Sequence, residues 1–330
     1  MEKISLIVPV YNRPDEVREL LESLTEQTAG GFEVIIVEDG SQIKCDDIVA
    51  EYARKLNVSY FLIENGGPGP ARNFGASLAG GDFLVVLDSD CILPPGYVQA
   101  VRLGVEQTKA DVFGGPDRAA EHFSPVQKAI NYSMTSFWTT GGIRGGRKKL
   151  DRFYPRSFNM GMKTEVYRKI GGFARMRFGE DIDLSIRLHE AGYRVRLLPE
   201  AWVYHKRRTD WRKFYRQVYN SGIARINLYK KHPHSLKFVH LLPALFTIGM
   251  AACPAAAVFY WWSLLLPLVY ALLVMVDAGL KNRSPKIGRL SVVASFIQLT
   301  GYGCGFISAV WSRLICGKGE FSAFDKTFYK

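Results

Sequence analysis

From Phe238 to Val276, a run of 39 residues, the sequence contains no Asp, Glu, Lys or Arg. That absence excludes a wholly water-soluble chain, because helices built from this stretch would have no charged face to turn to solvent. Cysteine is scarce. Cys45, Cys91, Cys253, Cys304 and Cys316 stand apart, with no paired or metal-like spacing. An odd, scattered set argues against a disulfide framework and suits a reducing compartment. The opening residues, Met-Glu-Lys-Ile-Ser-Leu-Ile-Val, lack the basic start and long apolar core of a secretory signal. They read as a first strand, so the front of the chain is expected in the cytosol. The glycines of Asn65-Gly66-Gly67-Pro68-Gly69-Pro70 fit neither a dinucleotide fingerprint nor a P-loop, and no Gly-Lys-Ser/Thr follows them. There is no internal repeat and no low-complexity linker.

Positive charge is in excess, a formal +12, and it is concentrated. Between Lys206 and Lys237 there are ten Lys and Arg residues against one acid, Asp210. This run lies immediately before the uncharged stretch, where basic residues attract anionic lipid head groups and favour the cytosolic side. No nucleic-acid module accompanies it, so an anionic membrane surface is the expected partner and nucleic acid is not. A bilayer core takes about 20 residues of helix. The uncharged run therefore predicts two spans joined near Tyr260–Trp262, with Trp261 and Trp262 as interfacial anchors. A cytosolic loop would carry Lys281, Arg283, Lys286 and Arg289. Leu290 to Trp311 is long enough to cross again, and Gly301, Gly303 and Gly305 in it could serve close helix packing or belong to a re-entrant element. The expected organisation is a cytosolic domain over 1–230, a membrane region over 231–312 with two to three apolar helices, and a short tail over 313–330. The expected location is the inner (cytoplasmic) membrane, crossed more than once.

The first 230 residues alternate strands and helices. Residues 4–8, Val34 to Val37, Val58 to Leu62 and Phe83 to Leu87 are short apolar runs. Between them Val17, Leu20, Leu21 and Leu24, and later Ile48, Val49, Tyr52, Ala53 and Leu56, fall at helical spacing, and a further helix begins near Ala71. The pattern predicts an α/β fold with a mostly parallel sheet covered by helices on both faces. Beyond Asp90 the alternation is less regular. Val112 and Phe113, Tyr193–Leu197 and Ala201–Tyr204 are strand candidates, Asp181 to Ala191 is a helix stopped by Gly192, and 141–149 is a basic glycine-rich loop.

In such sheets ligands collect beyond the carboxyl ends of the strands, and Asp39, Asp88 and Asp90 all lie just past strand ends. If strand geometry persists through Asp88-Ser89-Asp90, both carboxylates face one crevice. Two hard oxygen ligands beside a diphosphate suit Mg2+ or Mn2+, which take their remaining ligands from phosphate and water. The same triplet can also be a plain turn cap. Glu38-Asp39-Gly40-Ser41 ends the second strand in parallel fashion: Asp39 could accept hydrogen bonds from a base or ribose, or simply form an Asp-Gly turn. Arg72, near a helix start, could meet phosphate.

Taken together these segments resemble family 2 of the inverting glycosyltransferases, which share the GT-A fold, over roughly residues 3 to 230. The resemblance runs through Val8-Pro9-Val10-Tyr11-Asn12-Arg13, Glu38-Asp39-Gly40-Ser41, the glycine and arginine segment to Asn73, Leu87-Asp88-Ser89-Asp90 and Gly179-Glu180-Asp181-Ile182-Asp183-Leu184, with His205 beyond. It implies a nucleotide-sugar donor contacted by Pro9, Tyr11, Asn12, Arg13, Glu38, Asp39, Arg72, Asp88 and Ser89. Asp39 would meet the base, commonly uracil. Asp88 would lie near the ribose or the metal, and Asp90 would be the principal metal ligand. His205 matches a position that in some relatives also reaches the metal, though a packed histidine is the alternative. Asp181 matches the catalytic base, with Glu180 its immediate rival. A carboxylate there can take the proton from an attacking acceptor hydroxyl. Asp183, two residues on, points away from Asp181 on a helix and suits packing or a salt bridge. Arginines between Arg144 and Arg156 could assist the leaving diphosphate or orient the acceptor.

Processive polysaccharide synthases of the family carry a Gln-x-x-Arg-Trp motif near the membrane. Here the region reads His205-Lys206-Arg207-Arg208-Thr209-Asp210-Trp211. The departure favours transfer of a single sugar, and membrane attachment suggests a lipid-linked acceptor in surface polysaccharide or glycolipid assembly. Two alternatives stay open: a transferase whose acceptor is a polyprenyl phosphate, and a non-enzymatic membrane scaffold with a degenerate transferase domain. The oligomeric state is not legible.

Overall fold

The computed structural model describes residues 3–118, 123–140, 153–176, 178–205 and 210–320. The basic loop expected at 141–149, the cations at 206–208 and the last ten residues of the tail lie outside them. The strands are β1 (Ile4–Val10), β2 (Phe32–Asp39), β3 (Val58–Ile63), β4 (Phe83–Leu87), β5 (Cys91–Ile92), β6 (Val112–Gly114), β7 (Asp117–Arg118), β8 (Asn159–Lys163), β9 (Val195–Leu197) and β10 (Val203–His205). The α-helices are α1 (Pro14–Thr25), α2 (Asp46–Tyr52), α3 (Pro68–Leu78), α4 (Tyr97–Thr108), α5 (Pro125–Thr135), α6 (Phe137–Thr140), α7 (Thr164–Ile170), α8 (Glu180–Glu190), α9 (Trp211–Lys231), α10 (Leu242–Phe259), α11 (Leu265–Lys281) and α12 (Pro285–Ala309).

Seven strands form one sheet in the order β3-β2-β1-β4-β8-β6-β9. All neighbours run parallel except around β8, which is antiparallel to β4 and β6. Period-two alternation decides what each face carries. Leu6, Val8, Val34, Ile36 and Val85 pack with Val17, Leu20 and Leu21 of α1 and with Tyr97 and Val101 of α4. Ile7, Ile35, Val37, Leu84 and Val86 pack on the opposite face with Ala71 and Ala76 of α3, Val166 of α7 and Leu184 of α8. These core residues are essentially inaccessible to solvent, and each fully buried Val, Leu or Ile contributes about 1.5–3 kcal/mol. The fold is the mostly parallel α/β sheet, covered by helices on both faces, that the strand pattern predicts. A small second sheet, β5-β10-β7, closes over the carboxyl edge of the first.

The C-terminal part is helical. Among the described residues, three segments are long and apolar enough to cross a membrane: Phe238–Phe259, Trp261–Lys281 and Pro285–Ile315. The first two are only 6% and 11% buried, the third 44%. Phe259, Leu266 and Leu280 stand 81%, 74% and 74% exposed, an outward apolar surface that water would penalise and lipid would not. The first two segments meet at Tyr260 and Trp261, as the sequence predicts. The third begins at Pro285, five residues before its apolar run, because Ser284 caps it by accepting a hydrogen bond from the Ile287 N–H.

The sheet domain and the helices are joined through α5 and α9. Ala129, Ile130 and Met134 of α5 and Phe214 and Val218 of α9 share a core with Ala294 of α12. On α12, Gly301 and Gly305 are one helical turn apart and face α9. A Cβ at Gly305 would lie 2.0 Å from the Tyr219 carbonyl oxygen, and one at Gly301 2.6 Å from Val218. Gly303 meets α10 instead, where a Cβ would lie 2.4 Å from the Pro243 carbonyl oxygen. The glycines therefore do serve close helix packing, on two sides of α12.

Candidate active site

Because β1, β2 and β4 are parallel, their carboxyl ends open onto one edge. β8 starts at that edge too, since Asn159 pairs with Leu87. The last residue of β2 is Asp39, which points to the α3 face. Its two carboxylate oxygens accept hydrogen bonds from the Gly66 N–H at 2.7 Å and the Gly67 N–H at 2.9 Å. Burial raises its pKa, and the two amide donors oppose that rise. Gly40 follows at φ +67°, and a Cβ there would meet the Asn65 nitrogen at 2.7 Å, so only glycine lets the chain turn away here. Asn12, after β1, binds the neighbouring loop: its side-chain oxygen accepts from the Gln42 and Ile43 N–H groups at 2.8 and 3.0 Å.

Glu38 is brought elsewhere. Successive strand residues face opposite ways, so Glu38 turns to the α1 and α2 face, is fully buried, and accepts from the Cys45 N–H at 2.9 Å and the Cys45 thiol at 3.0 Å. The structure does not bring it to the edge that Asp39 serves. Pro9 is half-buried, Ser89 is buried, and Tyr11 is 40% exposed at the mouth of the edge.

Asp88 and Asp90 part company. β4 ends at Leu87 and the chain turns, so the expected common orientation is not kept. Asp88 accepts from Arg72 at 2.9 Å. Asp90 Oδ2 accepts from Arg13 at 2.7 Å, and its Oδ1 lies 3.1 Å from His205 Nε2. His205 ends β10, and its ring stacks on Phe158 at 4.9 Å between centroids. Burial would raise the Asp90 pKa, but His205 and then Arg13 outweigh it and hold the carboxyl well below the ordinary range. Asp90 Oδ1 is nevertheless buried without a well-aligned hydrogen-bond donor, an arrangement that invites a further cation.

Among the described residues, the group able to hold a metal ion is Asp90, Cys91 and His205, whose ligand atoms lie within 4.8 Å of one another. A carboxylate oxygen and an imidazole nitrogen fit a divalent ion such as Mn2+. The Cys91 thiol is turned to the Phe158 carbonyl oxygen, to which it donates at 3.4 Å, and burial, then the charges of Asp90 and Asp88, push its pKa well up. Asp88, expected among the ligands, is outside this group and paired with arginine.

Arg72 overturns its sequence reading. It is 3% exposed, donates to Asp88 and to Glu180, each at 2.9 Å, and its guanidinium lies over the Phe173 ring at 5.1 Å. With both arms of the fork occupied, it is a buried link rather than a phosphate ligand. Glu180 opens α8, and burial, then the neighbouring Asp181 charge, raise its pKa against the pull of Arg72. A raised pKa favours proton uptake, but Glu180 is buried and bonded to Arg72, which keeps it from an incoming hydroxyl. Asp181 is freer. Its Oδ1 accepts from the Ile182 N–H at 2.8 Å and its Oδ2 lies 3.4 Å from Arg156. Of the arginines considered between Arg144 and Arg156, Arg156 is the one within the described residues, and it faces Asp181. Asp183 points inward, fully buried, and binds Arg187 at 2.9 Å, Lys231 at 2.7 Å and His232 at 2.9 Å. Phe158 and Asn159 were missed: nothing in Ser157-Phe158-Asn159 signals that one ring stacks on His205 while the Asn159 side chain, donating to Ala201 O at 2.8 Å, secures the strand beside it.

A mostly parallel sheet with Asp39 ending β2, acids beyond β4, and a buried arginine tying Asp88 to Glu180 at the start of α8 is an architecture of the GT-A type. The comparisons agree and go further. The family model described as Glycosyl transferase family 2 matches residues 5–171, just over half of the chain, and the chain belongs to that family. It is 33% identical over 192 residues to an uncharacterized glycosyltransferase of Haemophilus influenzae, covering 56% of this chain and 61% of the relative. It is 30% identical over 237 residues to the pre-mycofactocin glycosyltransferase of Mycobacterium tuberculosis, covering 70% of this chain and 48% of that one. The chain thus spans about half the length of these curated relatives. Among solved structures it resembles the mannosyltransferase PcManGT from Pyrobaculum calidifontis, in complex with GDP-Man and Mn2+, with a TM-score of 0.64 at 19% identity, covering 94% of this chain and 88% of that one. The chain therefore carries a glycosyltransferase family 2 domain over residues 5–171, on a fold shared with that structure.

Proposed function

We propose that this chain transfers a single sugar, with inversion, from a UDP-linked donor to a hydroxyl of a membrane-associated, lipid-linked acceptor. The division at 230, with the catalytic domain on the cytosolic side of the inner membrane, is part of the proposal, and so is a role in surface polysaccharide assembly. One observation carries it: a single buried side chain, Arg72, holds Asp88 of the donor edge and Glu180, the neighbour of Asp181, at 2.9 Å each. That link supports reading the carboxylates assigned to donor and acceptor as parts of one site.

In this reading Asp39 receives the base and the residues after β1 flank the nucleotide. Asp90 and His205 would hold Mg2+ or Mn2+, and such an ion, when bound, supplies charge neutralisation to the diphosphate. Asp181 accepts the proton of the acceptor hydroxyl as its oxygen attacks the anomeric carbon. The bond from that carbon to the diphosphate oxygen breaks, the electron pair leaves with the nucleoside diphosphate, and configuration inverts. Arg156 orients Asp181, while Arg72 and Glu180 fix the start of α8. The test is to incubate the purified full chain with a panel of nucleotide-sugars and membrane lipid extract, with and without Mg2+ or Mn2+. Mass spectrometry would then detect one added hexose on a lipid, and NMR its anomeric configuration. A product extended by many sugars, or retention of configuration, would overturn the proposal.

A further inference from the structure

Away from the catalytic edge, a groove of about 630 Å³ lies where α11 turns into α12. Its walls are the apolar side chains of Met275, Val276 and Leu280, and its rim carries Arg283 and Arg289. The two helices approach closely: a Cβ at Gly288 would lie 2.5 Å from the Met275 carbonyl oxygen. At that point the backbones touch and the flanking side chains splay apart, opening the groove. Charge differs sharply around α11. On the side facing α5, Asp277 accepts from Lys281 at 2.8 Å and from the Tyr132 hydroxyl at 2.6 Å, so the lysine is neutralised. Arg283 and Arg289, which line the groove, are exposed, and no ion pair with an acid is found for them among the described residues.

The groove therefore joins two chemistries at the end of two candidate membrane spans. Two uncompensated guanidiniums sit at one end, and an apolar wall, with Val276 55% and Leu280 74% exposed, extends from them. A guanidinium pair suits a phosphate oxygen fork, and the apolar wall suits a hydrocarbon chain but not a free inorganic anion. We propose that this groove binds an anionic phospholipid, its phosphate between Arg283 and Arg289 and one acyl chain along Met275, Val276 and Leu280. The site is separate from Asp90 and Asp181 and stands whether or not their assigned roles do.

The full chain is reconstituted in nanodiscs of equal phosphatidylglycerol and phosphatidylcholine, and retained lipids are counted by native mass spectrometry after release. The chain is expected to keep phosphatidylglycerol in preference. Arg283→Asn with Arg289→Gln should lower that preference about a hundredfold, since each hydrogen bond from a guanidinium to the retained phosphate is worth roughly tenfold; asparagine tolerates the positive φ of 49° at Arg283. Arg212→Gln with Lys230→Gln removes the same charge from exposed positions on α9 and should leave the preference within about threefold. Arg289→Lys, which keeps the charge, should keep most of it and shows that the turn tolerates substitution. Equal loss in the two double variants would mean diffuse attraction to a basic protein, and no loss in the first would mean no site. Either result overturns the proposal.

Discussion

The two sides of the proposed site are held by different forces. On the donor side the acids leave the ends of β2 and β4, whose positions are set by ladders of parallel pairing from Ile4↔Phe32 to Val10↔Glu38 and from Ile4↔Phe83 to Ile7↔Val86. On the acceptor side Asp181 leaves the first turn of α8, a helix with no strand partner. Its start is tied down by the Arg72–Glu180 pair and by Asp183 reaching Lys231 and His232 at the end of α9. Although Asp88 and Asp90 are held by Arg72, Arg13 and His205, backbone pairing makes the strand ends on the first side insensitive to single side chains. Charge contacts make the second side dependent on them. Substitutions distant from any substrate should therefore disturb proton transfer more readily than donor binding.

The largest effect sharpens that difference. Asp181→Ala is expected to lower kcat by about 10²–10⁴, the usual worth of a positioned general base, with donor affinity by calorimetry unchanged within a few-fold. Asp181→Asn should behave alike if the acceptor is a hydroxyl. A phosphate acceptor needs no deprotonation at neutral pH, so near-normal turnover of Asp181→Asn would select the polyprenyl-phosphate alternative instead.

Arg72→Met cuts the one link common to both sides. It leaves Glu180, buried, and Asp88, a third exposed, without their cation, and stranding one buried charge of this kind costs about 3–5 kcal/mol. Thermal midpoints in detergent should fall accordingly, while Arg72→Lys, which cannot fork between two carboxylates, should recover only part. If Arg72→Met is as stable as the parent, the account of a buried link fails. Asp90→Ala comes next, with an expected loss of about 10²–10³ in turnover and a reduced response to added Mn2+. An unchanged response would move the metal away from Asp90 and His205.

The same contrast explains what could be read in advance. The strands carrying the donor acids are continuous apolar runs, and the start of α8 is marked by Gly179 at φ +85° followed by three acids in the first turn. β8 was not legible: Asn-Met-Gly-Met-Lys has no β-branched residue, and it is a strand only because β4 and β6 pair with it on either side. α3 starts at Pro68 rather than near Ala71, because prolines cost nothing in a first turn whose N–H groups have no helical partner anyway. Arg72 was misread because its partner Glu180 is 108 residues away, a distance over which sequence carries no pairing signal. Glu38 is a different kind of miss. Its neighbour Asp39 and the period of two already imply that only one of them can serve the crevice.

The smallest effect concerns the clasp between α8 and α9. Burial alone would raise the Asp183 pKa, yet Lys231, His232 and Arg187 lower it below the ordinary 3.8. A carboxyl with a depressed folded-state pKa binds fewer protons folded than unfolded, so stability rises with pH across that range. Its contribution is complete above about pH 4 and is lost as pH falls through the folded value. Asp183→Asn should therefore destabilise the chain by about 1.5–3 kcal/mol near neutrality, the range for hydrogen bonds to charged groups. The gap in thermal midpoint between parent and variant should then narrow as pH is taken from 5 to 3. A gap that stays constant over that range would mean the clasp holds by packing, and the acceptor side would be less dependent on charge than its geometry indicates.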